Sequence, residues 1–184
     1  LFFGWLPHND VAYDSTALWI HVASGVRGIS DRLGRLVPIS LVAIPVLAVA
    51  IPLTLAVTDS WYLLMPLIGL TASLFLSGLG VASILSVVSP YAVSRPGDSP
   101  FQQPQRSASR GGYGPAFAFV GALVVSAPTI WLFVMTVLED DLYNVLTFCV
   151  GVGSGIVVLA LGAIIGGAVY DRSGERLMEF VETA

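Results

Sequence analysis

The chain of 184 residues is 55% hydrophobic and only 11% charged, and its formal net charge is −4 at pH 7. Soluble domains are about one quarter charged, so this composition excludes an ordinary soluble protein and predicts an integral membrane protein. The chain has no lysine and a single cysteine, which excludes a P-loop ATPase, a Schiff-base enzyme and an intrachain disulfide. No pattern indicates nucleic-acid binding or a metal site.

The chain begins with an apolar run. Residues 1–6, LFFGWL, have the composition expected at the end of a membrane span. The chain also lacks an initiator methionine, so we expect it to be the C-terminal part of a longer polypeptide. Residues 1–6 would then be the tail of a preceding span.

Residues 7–36 combine an apolar stripe with a charged face. The stripe has the helical period, with apolar side chains at Leu18, Val22, Val26, Ile29, Leu33 and Leu36. The opposite face carries an ion-pair ladder with a spacing of four residues, made of Arg27, Asp31 and Arg35. We therefore predict a cytoplasmic amphipathic helix, capped by Asp14 or Ser15 and bent at Gly25 or Gly28, which lies on the membrane surface, docks a partner or does both.

Four long uncharged stretches follow, at residues 37–57, 63–88, 116–138 and 145–169. At about 1.5 Å per residue in a helix, each is long enough to cross roughly 30 Å of hydrocarbon. The predicted fold is therefore an all-α integral membrane protein with four transmembrane helices plus the cytoplasmic amphipathic helix.

Proline and glycine have regular positions in these spans. Prolines recur every seven residues along the first span, at Pro38, Pro45 and Pro52. Each removes a backbone hydrogen bond and favours a kink, so this helix either moves or lines a pathway, or merely tolerates its prolines. The last span carries two GxxxG pairs, Gly151 with Gly155 and Gly162 with Gly166. These favour close helix packing within the bundle over a specific dimer interface.

The arginines predict which side of the membrane each loop occupies. All eight basic residues are arginine and form three clusters, which alternate along the chain with two breaks that hold acids only. Because cytoplasmic loops retain basic residues, we expect a multi-pass protein with a cytoplasmic C-terminal tail at residues 170–184. Residues 89–114 would be a cytoplasmic loop rich in Pro, Gly and Ser, with a turn at Gly97 and Asp98. Arg95 in this loop would contact anionic lipid or a protein.

The chain offers little for catalysis or for ion coupling. None of the predicted spans contains an ionisable residue, which argues against an ion-coupled carrier. His8, Asp10 and Asp14 lie close together in the sequence, but no HExxH or GxSxG motif accompanies them. We therefore expect a chain without its own catalytic site, metal or cofactor.

Two segments carry a family resemblance. NDVAYDSTALWIHVASGVRGISDRLGR, residues 9–35, and SPYAVSRPGDSPF, residues 89–101, resemble the C-terminal half of ATP-binding-cassette exporter permeases of actinomycete-type bacteria, in the type-2 exporter class. Members of that class have six spans with both termini inside, of which this chain would supply the last four. The resemblance implies an inner (plasma) membrane location, an ATPase subunit that binds ATP and Mg, and a second permease half.

The resemblance also implies roles for residues of the amphipathic segment. In that family the equivalent segment couples the permease to the ATPase subunit. Here Leu18 and Trp19 would be apolar anchors, and the polar contacts would come from the same segment, at Asp14, Arg27, Asp31 and Arg35. The uncharged spans favour lipids, hydrophobic drugs or peptides as cargo over small ions.

Two alternatives stay open. The chain would instead be a structural or assembly subunit of a membrane complex if it transports nothing. It would be a membrane enzyme if Asp10 and Asp14 carried out chemistry.

Overall fold

The computed structural model describes residues 1–14, 17–93, 113–138 and 143–183, without the side chains of residues 181–183. Within these ranges the chain is mostly helical and forms no strand. The α-helices are α1 (Phe2–Trp5), α2 (Asp10–Tyr13), α3 (Leu18–Ala23), α4 (Gly28–Thr58), α5 (Leu64–Val88), α6 (Gly114–Leu138), α7 (Asn144–Arg172) and α8 (Gly174–Thr183). Two 3-10 turns, Leu6–Asn9 and Trp61–Leu63, precede α2 and α5.

Helices α4, α5, α6 and α7 are long and apolar enough to cross a membrane, which confirms the predicted four spanning helices. Their limits differ from the predicted spans chiefly at one end of the bundle. Helix α4 begins at Gly28 instead of residue 37, and α7 continues to Arg172 instead of residue 169. Both helices therefore include charged residues, which a prediction based on uncharged stretches leaves out of the span.

Helix α5 is the centre of the bundle and packs closely on α7. Gly69 faces Gly151 and Gly80 faces Gly162, so closely that a Cβ on either glycine of α7 would overlap the backbone of α5. Half of the most apolar stretch of α5 is buried. Close backbone approach of this kind increases the van der Waals contact that holds membrane helices together.

The other two glycines of the GxxxG pairs also face α5. A Cβ at Gly166 would lie 2.5 Å from the Ser83 carbonyl oxygen, and one at Gly155 would lie 3.1 Å from the Cβ of Leu76. All four glycines thus lie on the face of α7 that packs against α5.

Helix α4 is the least buried of the four. Only 11% of its most apolar stretch is buried. Leu36 and Ala43 pack on Phe75 and Leu79 of α5, but most of its other apolar side chains are exposed. The helix continues through all three of its prolines, Pro38, Pro45 and Pro52.

Two grooves separate α4 from its neighbours. One, of about 360 Å³, lies between α4 and α5 and includes Leu47 and Pro52, and the other, of about 440 Å³, includes Val37 and Pro45. Their linings are almost wholly apolar. Helix α4 therefore packs on the bundle less tightly than α7 does.

The predicted amphipathic helix is divided in the structure. Helix α3 ends at Ala23, and Gly25 then adopts φ +65°, a left-handed conformation that glycine reaches without a steric penalty. Arg27 is extended, and Gly28 starts α4. The second half of the predicted segment is thus the first two turns of a spanning helix, so a single helix over the apolar stripe is not formed.

Candidate functional site

The start of α4 meets the ends of α5 and α7 at what we call the charged end of the bundle. The Gly28 amide donates a hydrogen bond to the Asp171 carboxylate at 2.7 Å. Gly28 also packs so closely on Gly167 that a Cβ would overlap its carbonyl group. Arg176 of α8 donates to the Val87 carbonyl oxygen at 2.8 Å and so satisfies a backbone acceptor at the end of α5.

A group of charged side chains fills this end, and we call it the junction cluster. Its members are Asp10, Asp14, Asp31, Arg32 and Arg35. The Nε atoms of Arg32 and Arg35 donate to the same Asp31 oxygen, at 3.0 and 2.9 Å. Arg32 and Arg35 each form a further short ion pair, with Asp31 and Asp14 respectively. The cluster therefore joins the end of α2 to the first two turns of α4.

The centre of the cluster is buried. The side chains of Asp31 and Arg32 are each only 1% exposed. Arg32 also donates to the Ser86 hydroxyl of α5 at 2.7 Å, and its guanidinium lies 5.4 Å from the ring centroid of Tyr170 on α7. Removing one member of a buried ion pair costs about 3–5 kcal/mol, because the other charge stays buried without its partner. These contacts hold α2, α4, α5 and α7 in one arrangement.

Asp10 is the least satisfied member of the cluster. Its Oδ1 atom lies 3.6 Å from Arg32 Nη1, and this oxygen is buried without a hydrogen-bond partner among the described residues. Burial raises the pKa of Asp10, against the opposing effects of Arg32, Arg35 and the Ser86 hydroxyl. Asp10 therefore differs from Asp14 and Asp31, which both have a close guanidinium partner.

Helix α3 reaches the cluster through a histidine. His21 Nδ1 lies 3.2 Å from Asp31 Oδ1, which also accepts a hydrogen bond from Arg35 Nη2, and the His21 side chain is 46% exposed. Leu18 is fully buried against Val11 and Leu177, so the other side of α3 is held by apolar contact with α2 and α8. The helix is thus fixed on two sides.

The predicted partner-contact residues fall into two groups. Trp19 is 55% exposed, and Arg27 is also exposed. Leu18 and Asp31 are buried, so Leu18 is not available as an anchor for a partner in this conformation. Asp14 is paired with Arg35, and Arg35 also donates to Asp31.

The predicted pairing of Arg27 with Asp31 is not formed. Both oxygens of Asp31 are occupied by Arg32, Arg35 and His21. Arg32, which the four-residue spacing did not single out, is the most buried cation of the segment.

A second polar contact ties the N-terminal segment to the residues after α5. The His8 ring stacks between Trp5 and Tyr91, and its Nε2 atom lies 2.7 Å from the Tyr91 hydroxyl. The Asn9 side chain bonds both the amide and the carbonyl of Tyr91, each at 3.0 Å. Trp5 donates to the Pro115 carbonyl at 2.8 Å, at the start of α6.

This contact separates the residues that the sequence grouped as a possible catalytic set. His8 faces Tyr91, whereas Asp10 faces Arg32 and Asp14 faces Arg35. Within the described ranges, no group of three or more His, Cys, Asp or Glu side chains is arranged to hold a metal ion. The loop residues Arg95, Gly97 and Asp98 lie outside the described residues.

Comparison of the chain with protein-family models, with curated proteins and with solved structures gives no match. The junction cluster, the exposed side of α3 and the loosely packed α4 are contiguous, because His21 of α3 contacts Asp31 in the first turns of α4.

Proposed function

We propose that the chain is a membrane-spanning permease subunit of an ATP-driven exporter, and that a separate ATPase subunit binds and hydrolyses ATP with Mg. The observation that carries the proposal is the connection between α3 and α4. Helix α3 exposes Trp19 and Ile20 to a partner, while His21 and the junction cluster connect the same region to the first turns of α4.

The connection between α3 and α4 supports transmission of force from a partner to α4. His21 Nδ1 of α3 lies 3.2 Å from the Oδ1 atom of Asp31 in α4, and the Asp31 side chain is only 1% exposed. A partner that pushes on Trp19 would therefore move α3 and the start of α4 together. The remainder of α4 has few buried residues, and its three prolines each remove a backbone hydrogen bond. Helix α4 is accordingly the spanning helix that a partner would displace most readily.

The grooves beside α4 support a hydrophobic cargo. Both are lined almost wholly by apolar side chains, such as Leu47 and Phe75 in one and Leu41 and Leu159 in the other. Displacement of α4 would widen or close them. Lipids, hydrophobic drugs or peptides fit such a lining better than small ions do.

The arginines support the orientation in the membrane. Arg27, Arg32 and Arg35 lie at the charged end with Arg172 and Arg176, whereas Asp59 follows the opposite end of α4. The positive-inside rule then makes the charged end cytoplasmic, where an ATPase subunit would reach Trp19. The proposed location is a bacterial plasma membrane, with a second permease half completing the transporter.

The test is reconstitution of the full-length protein with its co-purified ATPase in nanodiscs. We expect the permease to stimulate ATP hydrolysis, and Trp19→Glu to abolish most of that stimulation. The matched control is Trp61→Glu, because Trp61 is similarly exposed (52%, against 55% for Trp19) but lies at the opposite end of the bundle. Equal loss of stimulation in both variants would contradict the α3 docking site. A folded protein that brings down no ATPase would instead be a structural subunit of a membrane complex.

A further inference from the structure

The junction cluster contains one more carboxylate than guanidinium. Asp10, Asp14 and Asp31 face Arg32 and Arg35, so the fully ionised cluster carries one uncompensated negative charge. We propose that the Asp10 carboxyl group binds a proton, which neutralises the junction cluster and fastens α2 to α4. This inference does not depend on transport.

Hydrogen-bond geometry identifies Asp10 as the site of the proton. Asp31 accepts bonds from both guanidinium groups, and Asp14 pairs closely with Arg35. Asp10 approaches Arg32 only to 3.6 Å, and its buried Oδ1 accepts no hydrogen bond from the described residues. An ionised carboxylate has about four acceptor positions to satisfy, whereas a protonated one has fewer and gains a donor.

The groups on the neighbouring elements act in both directions. The two arginines of α4 and the Ser86 hydroxyl of α5 favour the ionised Asp10 carboxyl, whereas burial, the largest effect, and Asp31 favour the protonated one. On α7, the Tyr170 ring lies against the Arg32 guanidinium, and a protonated tyrosine hydroxyl adds no charge to the cluster. On α8, Arg176 donates to the Val87 carbonyl and so is turned to a backbone acceptor. No further cation among these contacts balances Asp10.

His21 of α3 is the other group that could carry the balancing proton. It lies beside Asp31, which already has two guanidinium partners, and it is 46% exposed. A proton on His21 would leave the buried Asp10 Oδ1 without a partner. The proton is therefore better placed on Asp10 than on His21.

The sign of the pH dependence follows. Burial raises the pKa of folded Asp10 above the ordinary value of 3.8, so the folded chain holds this proton at pH values where the unfolded chain has lost it. The folded state binds more protons in that window, so its stability falls as pH rises from about 3.8 through the raised pKa of Asp10. Above that window, the charge of ionised Asp10 is buried at a cost that its attraction to Arg32 and Arg35 does not fully offset, and α2 loosens from α4.

Infrared spectroscopy tests the proton directly. The full chain in nanodiscs at neutral pH should show the C=O stretch of a protonated carboxyl, which shifts in deuterated water. The band should be lost in Asp10→Asn, in which a neutral amide of the same shape replaces the carboxyl. A neutral-pH spectrum without the band, or a band that persists in Asp10→Asn, would overturn the proposal.

Thermal unfolding tests the consequence. The melting temperature of the wild-type protein should fall as the pH rises above 3.8 through the raised pKa of Asp10, and that of Asp10→Asn should fall clearly less over the same range. The control Asp59→Asn should follow the wild type, because Asp59 is exposed at the opposite end of α4. His21→Gln should also retain the wild-type slope. A flattened slope in His21→Gln with an unchanged slope in Asp10→Asn would place the proton on the imidazole and refute the assignment.

Discussion

Helices α7 and α4 both pack against α5, but by different means. Helix α7 contacts α5 along its length, through Gly151 near one end and Gly162 nearer the other, with no charged side chain involved. Helix α4 is fixed chiefly at its first turns, where Gly28 packs on Gly167 and the junction cluster surrounds Arg32. Beyond Ala43 it has one further buried residue, Leu55.

The difference indicates which parts of the bundle are rigid. A contact distributed along two helices resists both sliding and tilting, whereas a contact at one end resists separation there but leaves the other end free to swing. Local stability follows the density of buried contacts, so α5 and α7 form the frame and α4 is the element able to move. We call the junction cluster the pivot, because α4 would swing about this fixed end.

Replacement of Arg32 by Met is expected to have the largest effect. The substitution preserves most of the apolar stem but leaves the buried Asp31 and the partly buried Asp10 with one guanidinium fewer. Removing one partner from a buried ion pair lowers the free energy of unfolding by about 3–5 kcal/mol. Denaturant unfolding of the purified protein in detergent measures the loss.

The matched control for this prediction is Arg27→Met. Arg27 is exposed, and no ion pair involving it is found among the described residues. Its replacement should change the free energy of unfolding by less than about 0.5 kcal/mol. Equal losses in the two variants would show that charge near α4, rather than the buried pairing, determines stability.

Gly162→Ala should have the next largest effect, on the frame itself. The new Cβ would overlap the Gly80 carbonyl group, and overpacking of this kind costs about 1–3 kcal/mol. Gly153→Ala on the same helix is the control, because nothing lies within 4 Å of its new Cβ. Relief of the glycine backbone entropy should stabilise that variant by about 0.5–1 kcal/mol. The two variants should therefore shift the melting temperature in opposite directions; shifts of the same sign would contradict the close packing.

The frame was more predictable from the sequence than the pivot. Charge-free length predicts the four spanning helices, and the GxxxG spacing marks Gly151 and Gly162 as small positions on one face. Both signals are local, because length and helical period can be counted within a single segment. The cytoplasmic location of the arginine clusters stays a prediction.

The pivot depends on contacts between distant segments. Arg35 pairs with Asp14 across 21 residues, and Asn9 bonds Tyr91 across 82. No periodicity connects such positions. The ladder predicted from the four-residue spacing pairs Asp31 correctly with Arg35 but also with Arg27, because spacing along one helix cannot show that Arg32 reaches the same carboxylate.

The smallest expected effect is on the motion of α4, without a change in stability. A spin label at the native Cys149 of α7 can be paired with a second label at Leu53→Cys on α4, since Leu53 is exposed. The control pair joins Cys149 to Met65→Cys on α5, near the same end of the bundle, where Met65 is also exposed. Pulsed electron resonance on the full chain in nanodiscs then gives the two distance distributions.

We expect the α7 to α4 distribution to be clearly broader than the α7 to α5 distribution, because glycine contacts fix one pair of helices along their length and the other is held mainly at the distant junction cluster. Adding Arg32→Met should broaden the α4 distribution further and leave the α5 distribution unchanged, since Arg32 contributes to the pivot and lies outside the glycine contacts. Equal widths for the two pairs would show that α4 is held by contacts along its length, and the distinction between frame and pivot would fail.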